Sequence, residues 1–406
     1  MADVTVLDVR LYGTSIGTMT RVGGDRTIFA FNDDYIDDNG RPVLGLAFKD
    51  VLGQLITDVK PTRVRVPPFF SNLLPEGPLR DYLAERAGVH PSREFFLLWV
   101  LGSDLPGAVT VVPADGEPWP VDAQAGGDVG RRDPHESALR FSLAGVQIKF
   151  SAIHNARGGL TIPAKGVGGS WIVKLPSREF RRVPENEYSM LTLARLVGIE
   201  VPALELVDLD EIENLPRGIG TLEGQALAIR RFDRREDGTA VHMEDFAQVF
   251  GVYPGDKYKR ASARSIAAVL GAECGENDIA EFIRRLTFNT LVGNADMHLK
   301  NWSLIYPDRR HAALAPAYDF VSTVAYIPDG EAALNFSRTK RFDQFSEDEI
   351  LHLAAKARLP QRLVLDTARE TVELFHQHWR AEKANLPLEA RVVDAVETHL
   401  RTVPIA

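Results

Sequence analysis

Two aspartates and one asparagine in the C-terminal half of the chain have a spacing that could place them in one catalytic site. Asp296 is followed five positions later by Asn301, and Asp319 comes after a short apolar segment. In phosphoryl transfer from ATP, one carboxylate orients a substrate hydroxyl and accepts its proton, while an asparagine and a second carboxylate provide oxygen ligands for magnesium. The spacing therefore predicts a kinase-like catalytic loop. On this motif alone, a helix end with Asn294 and Asp296 as caps or turn formers is an open alternative.

The segments around this loop indicate that it lies between buried elements. Residues 282–292 have the apolar spacing of a helix, and residues 302–306 have the composition of a strand. Asp319 ends an apolar run, where a carboxylate needs a cation or hydrogen-bond donors. His298 is interpreted as a structural residue, which either braces the loop or is hydrogen-bonded in the core. Lys300 either contacts a phosphate or lies in solvent, and the spacing does not decide between them.

A lysine in a β-rich run provides a candidate cation for the phosphates. Residues 168–176 carry Lys174 among apolar residues, so its ammonium group must find an anion or extend out of the core. An ATP phosphate is the natural anion, and the exposed face of a strand is the alternative. Residues 185–197 then have the spacing of an amphipathic helix with carboxylates at its start. Glu187 in this helix either pairs with Lys174, as in kinases, or is a charge at the helix N-terminus.

Two weaker signals accompany this lysine. Residues 142–150 precede its strand, where a kinase has the loop that covers the phosphates. The segment is not a Walker loop, but Ala144 and Gly145 allow backbone amides to approach an anion. Residues 227–234 have the pattern of a buried strand that ends in charged residues, which predicts a hinge for adenine.

An ordered set of motifs covering nearly the whole chain resembles one protein family. Each motif is modest, but a set of about ten in the right order is specific. On these motifs the chain is similar to the HipA-type serine/threonine kinase toxins of bacterial type II toxin–antitoxin systems. The motifs are residues 16–19, 67–77 and 102–108, followed by SLAGVQIKF, WIVKLP, ENEYSMLTLARLVGIEVP, LAIRRFDR, HMEDFAQVFGV, GNADMHLKN and APAYDFVST.

The resemblance implies ATP and Mg²⁺ as cofactors and gives individual positions a role. Asp296 corresponds to the catalytic aspartate, and Asn301 and Asp319 correspond to the magnesium ligands. Lys174 corresponds to the lysine that holds the phosphates. The nucleotide-binding residues that the resemblance implies are Ala144, Gly145, Val146, Gln147, Ile148 and Lys149 in the phosphate loop, Lys174 in its strand, Arg230, Arg231 and Phe232 at the hinge, and His298, Leu299, Lys300, Asn301, Tyr318 and Asp319 around the catalytic loop.

Ser142 matches the loop serine that family members autophosphorylate, a modification that switches the family's kinases off. A phosphoserine in a loop that must wrap a triphosphate would repel that ligand. A cap of a helix or turn is the alternative role of Ser142. Two positions depart from the family pattern: Ile148 stands where a charged residue is usual, and Arg230 stands where a glutamate is often found.

Composition agrees with an intracellular enzyme. The single cysteine, Cys274, excludes an intramolecular disulfide, and the N-terminus lacks a basic region and a long apolar run, so we expect no membrane association and a cytoplasmic location. The formal net charge of −9 argues against broad, independent binding of nucleic acid. The resemblance implies a basic partner, a HipB-like helix-turn-helix antitoxin that holds the operator DNA.

The predicted fold class is α+β. We expect an N-terminal α/β subdomain at residues 1–113 and a linker or mobile loop at 114–136, which is rich in Pro, Gly, Ala and Asp. A bilobal protein-kinase-like domain follows. Its β-rich lobe with the phosphate loop spans residues 137–237, and its all-helical C-terminal lobe with the catalytic loop spans residues 238–406.

Three functions are compatible with these features. The leading hypothesis is a serine/threonine protein kinase toxin that phosphorylates a translation factor, which in the family is typically an aminoacyl-tRNA synthetase. The second is a nucleotide-binding co-repressor or interaction module that works with the antitoxin. The third is a small-molecule kinase, since the acceptor pocket has no readable motif.

Overall fold

The structure is a computed structural model that describes residues 5–114, 149–154, 160–162, 169–177, 179–215, 222–327 and 330–406. Its strands are β1 Thr5–Leu11, β2 Thr14–Val22, β3 Arg26–Phe31, β4 Thr62–Arg63, β5 Val109–Pro113, β6 Lys149–His154, β7 Leu160–Thr161, β8 Trp171–Lys174, β9 Leu204–Asp208, β10 Ile212–Glu213, β11 Gln225–Arg230, β12 His242–Asp245, β13 Ser303–Tyr306 and β14 Ala313–Leu314. Its α-helices are α1 Asp33–Asp37, α2 Pro68–Ser71, α3 Gly77–Ala87, α4 Glu94–Leu101, α5 Val183–Leu196, α6 Phe246–Val249, α7 Ala263–Glu273, α8 Glu276–Leu291, α9 Glu347–Ala357, α10 Gln361–Glu382 and α11 Ala390–Leu400.

The N-terminal part is built on an antiparallel sheet with strand order β4-β3-β2-β1-β5. In β1, the side chains of Leu7, Val9 and Leu11 are buried while the intervening residues are partly exposed, which is the period-two pattern of a strand with one face on a core. Every residue of α4 is buried, so this helix is covered on all sides.

A second sheet has the strand order β10-β7-β6-β8-β11-β9. The helix expected after Lys174 is α5, and its apolar face packs on β9 and β11. One hydrophobic core runs continuously from the first sheet into the second, joining residues such as Val111 and Val173. Apart from Ala114, the linker predicted at 114–136 lies outside the described residues.

The C-terminal part packs α7 to α11 around another core, which includes Phe288, Phe320 and Phe375. The prediction that this lobe is all-helical is wrong in one respect, because β12, β13 and β14 form a small antiparallel sheet in it. The four residues of β12 run directly into α6, so the segment is too short for its period to be told from the helix that follows. None of the described helices is both long and apolar enough to cross a membrane.

The small sheet and α8 together position the predicted catalytic loop, which runs from the end of α8 to the start of β13. Gly293 ends the helix with a backbone φ of 65°, in the left-handed region. A Cβ atom at this position would lie 2.6 Å from a methyl carbon of Val324, so a larger residue fits neither the backbone nor the space. The loop therefore turns sharply at the end of α8.

Candidate active site

A cavity of about 920 Å³ opens where the second sheet faces the predicted catalytic loop and the small sheet of the C-terminal part. Residues from all three parts of the chain form its wall, including Asn72 and Glu76 from the N-terminal part. The predicted site residues whose atoms line it are Lys149, Lys174, Arg230, Arg231, Phe232, Asp296, His298, Lys300, Asn301, Tyr318 and Asp319. The structure thus brings residues that are far apart in sequence around one space of a size typical for ligand pockets.

Lys174 forms a buried charge cluster on one side of the cavity. Its ammonium group donates to the Oε1 atom of Glu187 at 2.5 Å and contacts the carboxylate of Asp319. The pairing with Glu187 that the sequence left open is therefore present. Burial alone would lower the pKa of Lys174, but Asp319 and Glu187 raise it above its ordinary value. Burial likewise opposes ionisation of Asp319, and Lys174 nevertheless holds the pKa of that carboxyl well below its usual range.

Lys149 places a second ammonium group near this cluster. It lies directly opposite Lys174 in the antiparallel register of β6 and β8, so both side chains are on the same face of the sheet. Burial lowers the pKa of Lys149, and the charge of Lys174 lowers it further, although Asp319 opposes the effect. Two facing cations are unfavourable unless an anion lies between them, which suits a polyphosphate ligand.

Hydrogen bonds with residues of the loop and with Tyr258 position Asp296. The hydroxyl of Tyr258 donates to the Oδ1 atom of Asp296 at 2.7 Å, and the Nδ2 atom of Asn301 donates to its backbone carbonyl at 2.8 Å. The Oδ1 atom of Asn294 accepts a bond of 3.1 Å from the backbone amide of Asp296. Asn294 thus does the turn-forming work considered above, whereas the carboxylate of Asp296 is directed to the cavity. Burial raises the pKa of Asp296.

Asn301 and Asp319 supply oxygen atoms whose chemistry fits a magnesium ion. Because the amide nitrogen of Asn301 is engaged with Asp296, its carbonyl oxygen is the atom that can face a cation. Asp319 has a backbone φ of 58°, a left-handed conformation that few non-glycine residues adopt. The Nδ2 atom of Asn294 donates to the Asp319 backbone carbonyl at 3.4 Å and so links the two segments. Hard oxygen donors of this kind are what Mg²⁺ binds.

Lys300 is placed neither beside the Lys174 cluster nor in solvent. Its Nζ atom donates to the backbone carbonyl of Asn72 at 2.8 Å and lies 3.2 Å from the Oε1 atom of Glu76 and 3.5 Å from the Oδ2 atom of Asp245. The other oxygen of Glu76 accepts a 3.1 Å bond from Lys257. Lys300 therefore ties the catalytic loop to the N-terminal part of the chain.

His298 and Leu299 have structural positions. His298 is buried, and its ring meets the ring of Tyr258 edge to face, with 5.0 Å between centroids. Burial and the nearby charge of Lys257 lower the pKa of His298 to about 3, so the imidazole is neutral. Its Nδ1 atom has no hydrogen-bond partner among the described residues. Leu299 is fully buried in the core, so its side chain is not part of the cavity wall that the resemblance implied.

The arginine side chains at the predicted hinge are engaged with protein carboxylates. Arg230 is partly exposed and lies 3.2 Å from Glu236. Arg231 is buried and forms two 2.8 Å bonds to the carboxylate of Asp233, with Asp104 at 3.4 Å. Burial opposes the charge of Arg231, but these carboxylates raise its pKa above the ordinary value. The positive charges of both side chains are therefore paired with carboxylates of the protein rather than left for a ligand.

Two aromatic rings provide an apolar part of the cavity. The rings of Phe232 and Tyr318 lie with their centroids 5.7 Å apart. The hydroxyl of Tyr318 donates to the backbone carbonyl of Lys300 at 2.9 Å and shares a 2.5 Å hydrogen bond with Ser303, which holds the ring in place. A flat aromatic base suits such a surface.

The remaining predicted site residues are Ser142 and the phosphate-loop residues Ala144, Gly145, Val146, Gln147 and Ile148, and all of them lie outside the described residues. Conversely, Tyr258, Lys257 and Glu76 received no individual role in the site from the sequence. Glu76 follows an apolar run in one of the quoted motifs, and a carboxylate in that position signals a buried partner. Its partners, Lys257 and Lys300, follow it by more than 180 residues and have no local signal.

Several known proteins are similar to this chain in sequence. Residues 141–379 match the family model described as HipA-like C-terminal domain, and residues 7–112 match the model described as HipA N-terminal domain. A Sinorhizobium fredii protein named as a candidate kinase, Y4dM, is 61% identical over 409 residues, which cover 100% of this chain and 98% of that protein. The serine/threonine-protein kinase toxin HipA of Shewanella oneidensis is 27% identical over 317 residues, 70% of this chain and 68% of that protein.

A solved structure extends the likeness to the whole architecture. The complex of Shewanella oneidensis MR-1 HipA with HipB and operator DNA matches with a TM-score of 0.71 at 22% identity. The match covers 98% of this chain and 95% of that chain. The α+β, kinase-like fold expected from the sequence is thereby confirmed.

Proposed function

The chain belongs to the HipA family, and from this membership we propose that it is an ATP-dependent serine/threonine protein kinase. We further propose that it is the toxin of a toxin–antitoxin pair and acts in the cytoplasm. Its substrate is a translation factor such as an aminoacyl-tRNA synthetase, and it also phosphorylates its own Ser142. The observation that carries the proposal is the convergence of Asp296, Asn301 and Asp319 with the Lys174 pair around one cavity.

Each residue has one task in the proposed reaction. Lys174 and Lys149 bind the phosphates of ATP, and Phe232 and Tyr318 contact the base. Asn301 and Asp319 would hold a magnesium ion, which would supply positive charge to neutralise the phosphates. These roles use side chains that line the cavity.

The transfer itself needs a base and an oriented acceptor. The acceptor hydroxyl donates to the carboxylate of Asp296, and its oxygen forms a bond to the γ-phosphorus of ATP. The bond between that phosphorus and the oxygen bridging to the β-phosphate breaks, so ADP leaves with the electron pair. The acceptor proton passes to Asp296.

The partners follow from family membership and charge. A HipB-like helix-turn-helix antitoxin binds the chain and holds operator DNA, as the Shewanella oneidensis complex contains HipA, HipB and operator DNA together. The net charge of −9 supports docking of a basic regulator and contact with DNA mainly through it. We also propose that the chain divides into domains at 1–113, 114–136, 137–237 and 238–406, because this division follows the order of the family's motifs.

Mass spectrometry after incubation with magnesium and ATP tests the proposal. We expect phosphate on Ser142 in the wild-type chain and a loss of transfer of about 10²- to 10⁴-fold in Asp296→Asn, since that change removes the base but keeps the side-chain volume. Binding of a fluorescent ATP analogue to the variant should persist. Asp394→Asn, an exposed position on α11, is the matched control and should behave as wild type.

The outcomes separate the candidate functions. Undiminished transfer by Asp296→Asn contradicts the mechanism. ATP binding by the wild type without transfer to itself or to a purified synthetase favours the co-repressor or interaction-module function. Transfer to a small metabolite but to no protein favours the small-molecule kinase.

A further inference from the structure

A tyrosine outside the predicted site residues touches the proposed base directly. The hydroxyl of Tyr258 lies 2.7 Å from the Oδ1 atom of Asp296, within the range of a strong bond from a hydroxyl to a carboxylate. Tyr258 belongs to the segment between α6 and α7, 38 residues before Asp296. The contact is therefore made by the fold rather than by neighbouring residues of the catalytic loop.

The surroundings of Tyr258 fix its ring although the side chain is 44% exposed. His298 of the catalytic loop packs edge to face on it, and the Nζ atom of Lys257 lies 5.6 Å from its ring centroid. Lys257 is itself held by Glu76 at 3.1 Å, and its backbone carbonyl accepts a bond from the catalytic-loop amide of Leu299. The tyrosine is thus braced from two sides against the loop that carries Asp296.

As a result, the two oxygen atoms of the Asp296 carboxylate differ in their hydrogen bonding. Its Oδ1 atom accepts the bond from Tyr258, and no hydrogen bond to its Oδ2 atom joins it to the described residues. A carboxylate pinned by one oxygen has a defined rotamer, so the other oxygen points in a defined direction. An acceptor hydroxyl needs such a direction, because misplacement by about 1 Å reduces transfer rates by about 10²-fold.

We propose that Tyr258 is a positioning residue for phosphoryl transfer, which holds Asp296 by Oδ1 so that Oδ2 receives the acceptor hydroxyl. The proposal rests on the proposed kinase function and adds a residue to it. Tyr258 does not exchange a proton with the substrate and does not contact ATP. The proton of the acceptor passes to Oδ2 of Asp296, while the hydroxyl of Tyr258 keeps its own proton and its bond to Oδ1.

The Tyr258→Phe variant tests this role because it removes the hydroxyl and keeps the ring that packs on His298. The probe is phosphate incorporation into the chain itself, followed by intact mass at increasing concentrations of magnesium–ATP. We expect the maximal rate constant to fall by about 10- to 100-fold, as for the loss of a hydrogen bond to a charged group. The KM for ATP and the melting temperature should remain within experimental error of wild type.

A double-mutant cycle and a control variant make the test specific. In the Asp296→Asn background, Tyr258→Phe should cause a much smaller further loss, because the two residues act as one unit. Tyr188→Phe changes a partly buried tyrosine on α5 in the same way and should leave the rate unchanged.

Four results would overturn the inference, and they are distinguishable. An unchanged rate shows that the hydroxyl does not act, and a raised rate shows that Tyr258 competes with the acceptor. A parallel loss of ATP affinity and melting temperature shows a purely structural role. Absence of transfer by the wild type defeats the proposed function and this inference with it, whereas an active wild type with an unaffected Tyr258→Phe defeats the inference alone.

Discussion

Lys174 and Lys300 are both buried in the cavity wall, but they differ in the groups that neutralise them. Lys174 pairs with Glu187 and with Asp319, and Asp319 belongs to the same predicted nucleotide site. Lys300 meets Asn72 and Glu76 of the N-terminal part. From sequence, each is a lysine near apolar residues and either could bind a phosphate. A buried lysine in a sequence therefore indicates that an anion lies nearby, but not which anion it is.

The two clusters also differ in how a ligand could enter them. Lys174 shares its charge with Asp319, whose side chain is 26% exposed and can turn to a cation. Lys300 and Lys257 share the two oxygens of Glu76, and Asp245 adds a further carboxylate at 3.5 Å. The first cluster is therefore suited to exchange partners with a nucleotide. The second cluster, whose charges pair with one another, connects the N-terminal part to the catalytic loop.

The largest effect on phosphoryl transfer is expected from replacing Lys174. In Lys174→Met the phosphates lose their cation, and we expect phosphoryl transfer to fall by more than about 10²-fold with a clear loss of ATP affinity. The fold should survive, because burial already raises the pKa of Glu187 and that carboxyl can take up a proton. Transfer assays and fluorescent-nucleotide titration measure both effects. Wild-type ATP affinity in this variant would remove Lys174 from the nucleotide site.

Replacing Glu76 in the second cluster should change the stability of the protein rather than its ATP affinity. Burial opposes ionisation of Glu76, but Lys300 and Lys257 lower its pKa from 4.5 to about 2. Such a shift corresponds to about 3 kcal/mol. Urea unfolding of Glu76→Gln at pH 7 should therefore show a free energy of unfolding lower by about that amount, with ATP affinity changed little. Glu223→Gln, at an exposed position, is the control.

The difference in unfolding free energy between wild type and Glu76→Gln should depend on pH. The folded-state pKa of Glu76 lies below its unfolded value, so its contribution is complete above about pH 4.5 and is lost as pH falls toward 2. The difference in unfolding free energy between wild type and Glu76→Gln should shrink across that window. A difference that stays constant from pH 7 to pH 3 would show that the lysines do not depend on the charge of Glu76.

The smallest effect is expected at the hinge. Arg230 is partly exposed and pairs with Glu236, whose side chain is 86% exposed. Arg230→Ala should change the unfolding free energy by less than about 0.5 kcal/mol and the KM for ATP by less than about twofold. A larger change in KM would show that this side chain contacts the nucleotide.

Much of the architecture was accessible from local patterns. The helical spacing of 282–292 corresponds to the C-terminal part of α8, and the run 302–306 corresponds to β13. The short strand β12 was missed because four residues carry almost no periodic signal. Long amphipathic helices such as α10 are predictable for the opposite reason, since each additional turn repeats the same apolar face.

The sequence by itself determined the residue types of the site and their order, including Asp296, Asn301 and Asp319, because these depend on the chemistry of single side chains and on short spacings. Only the tertiary structure decided the pairings, such as Glu76 with Lys300 and Tyr258 with Asp296. The physical reason is that a buried charge or a directed hydroxyl is satisfied by whatever group the packing of distant elements brings within about 3 Å. No local pattern encodes that distance.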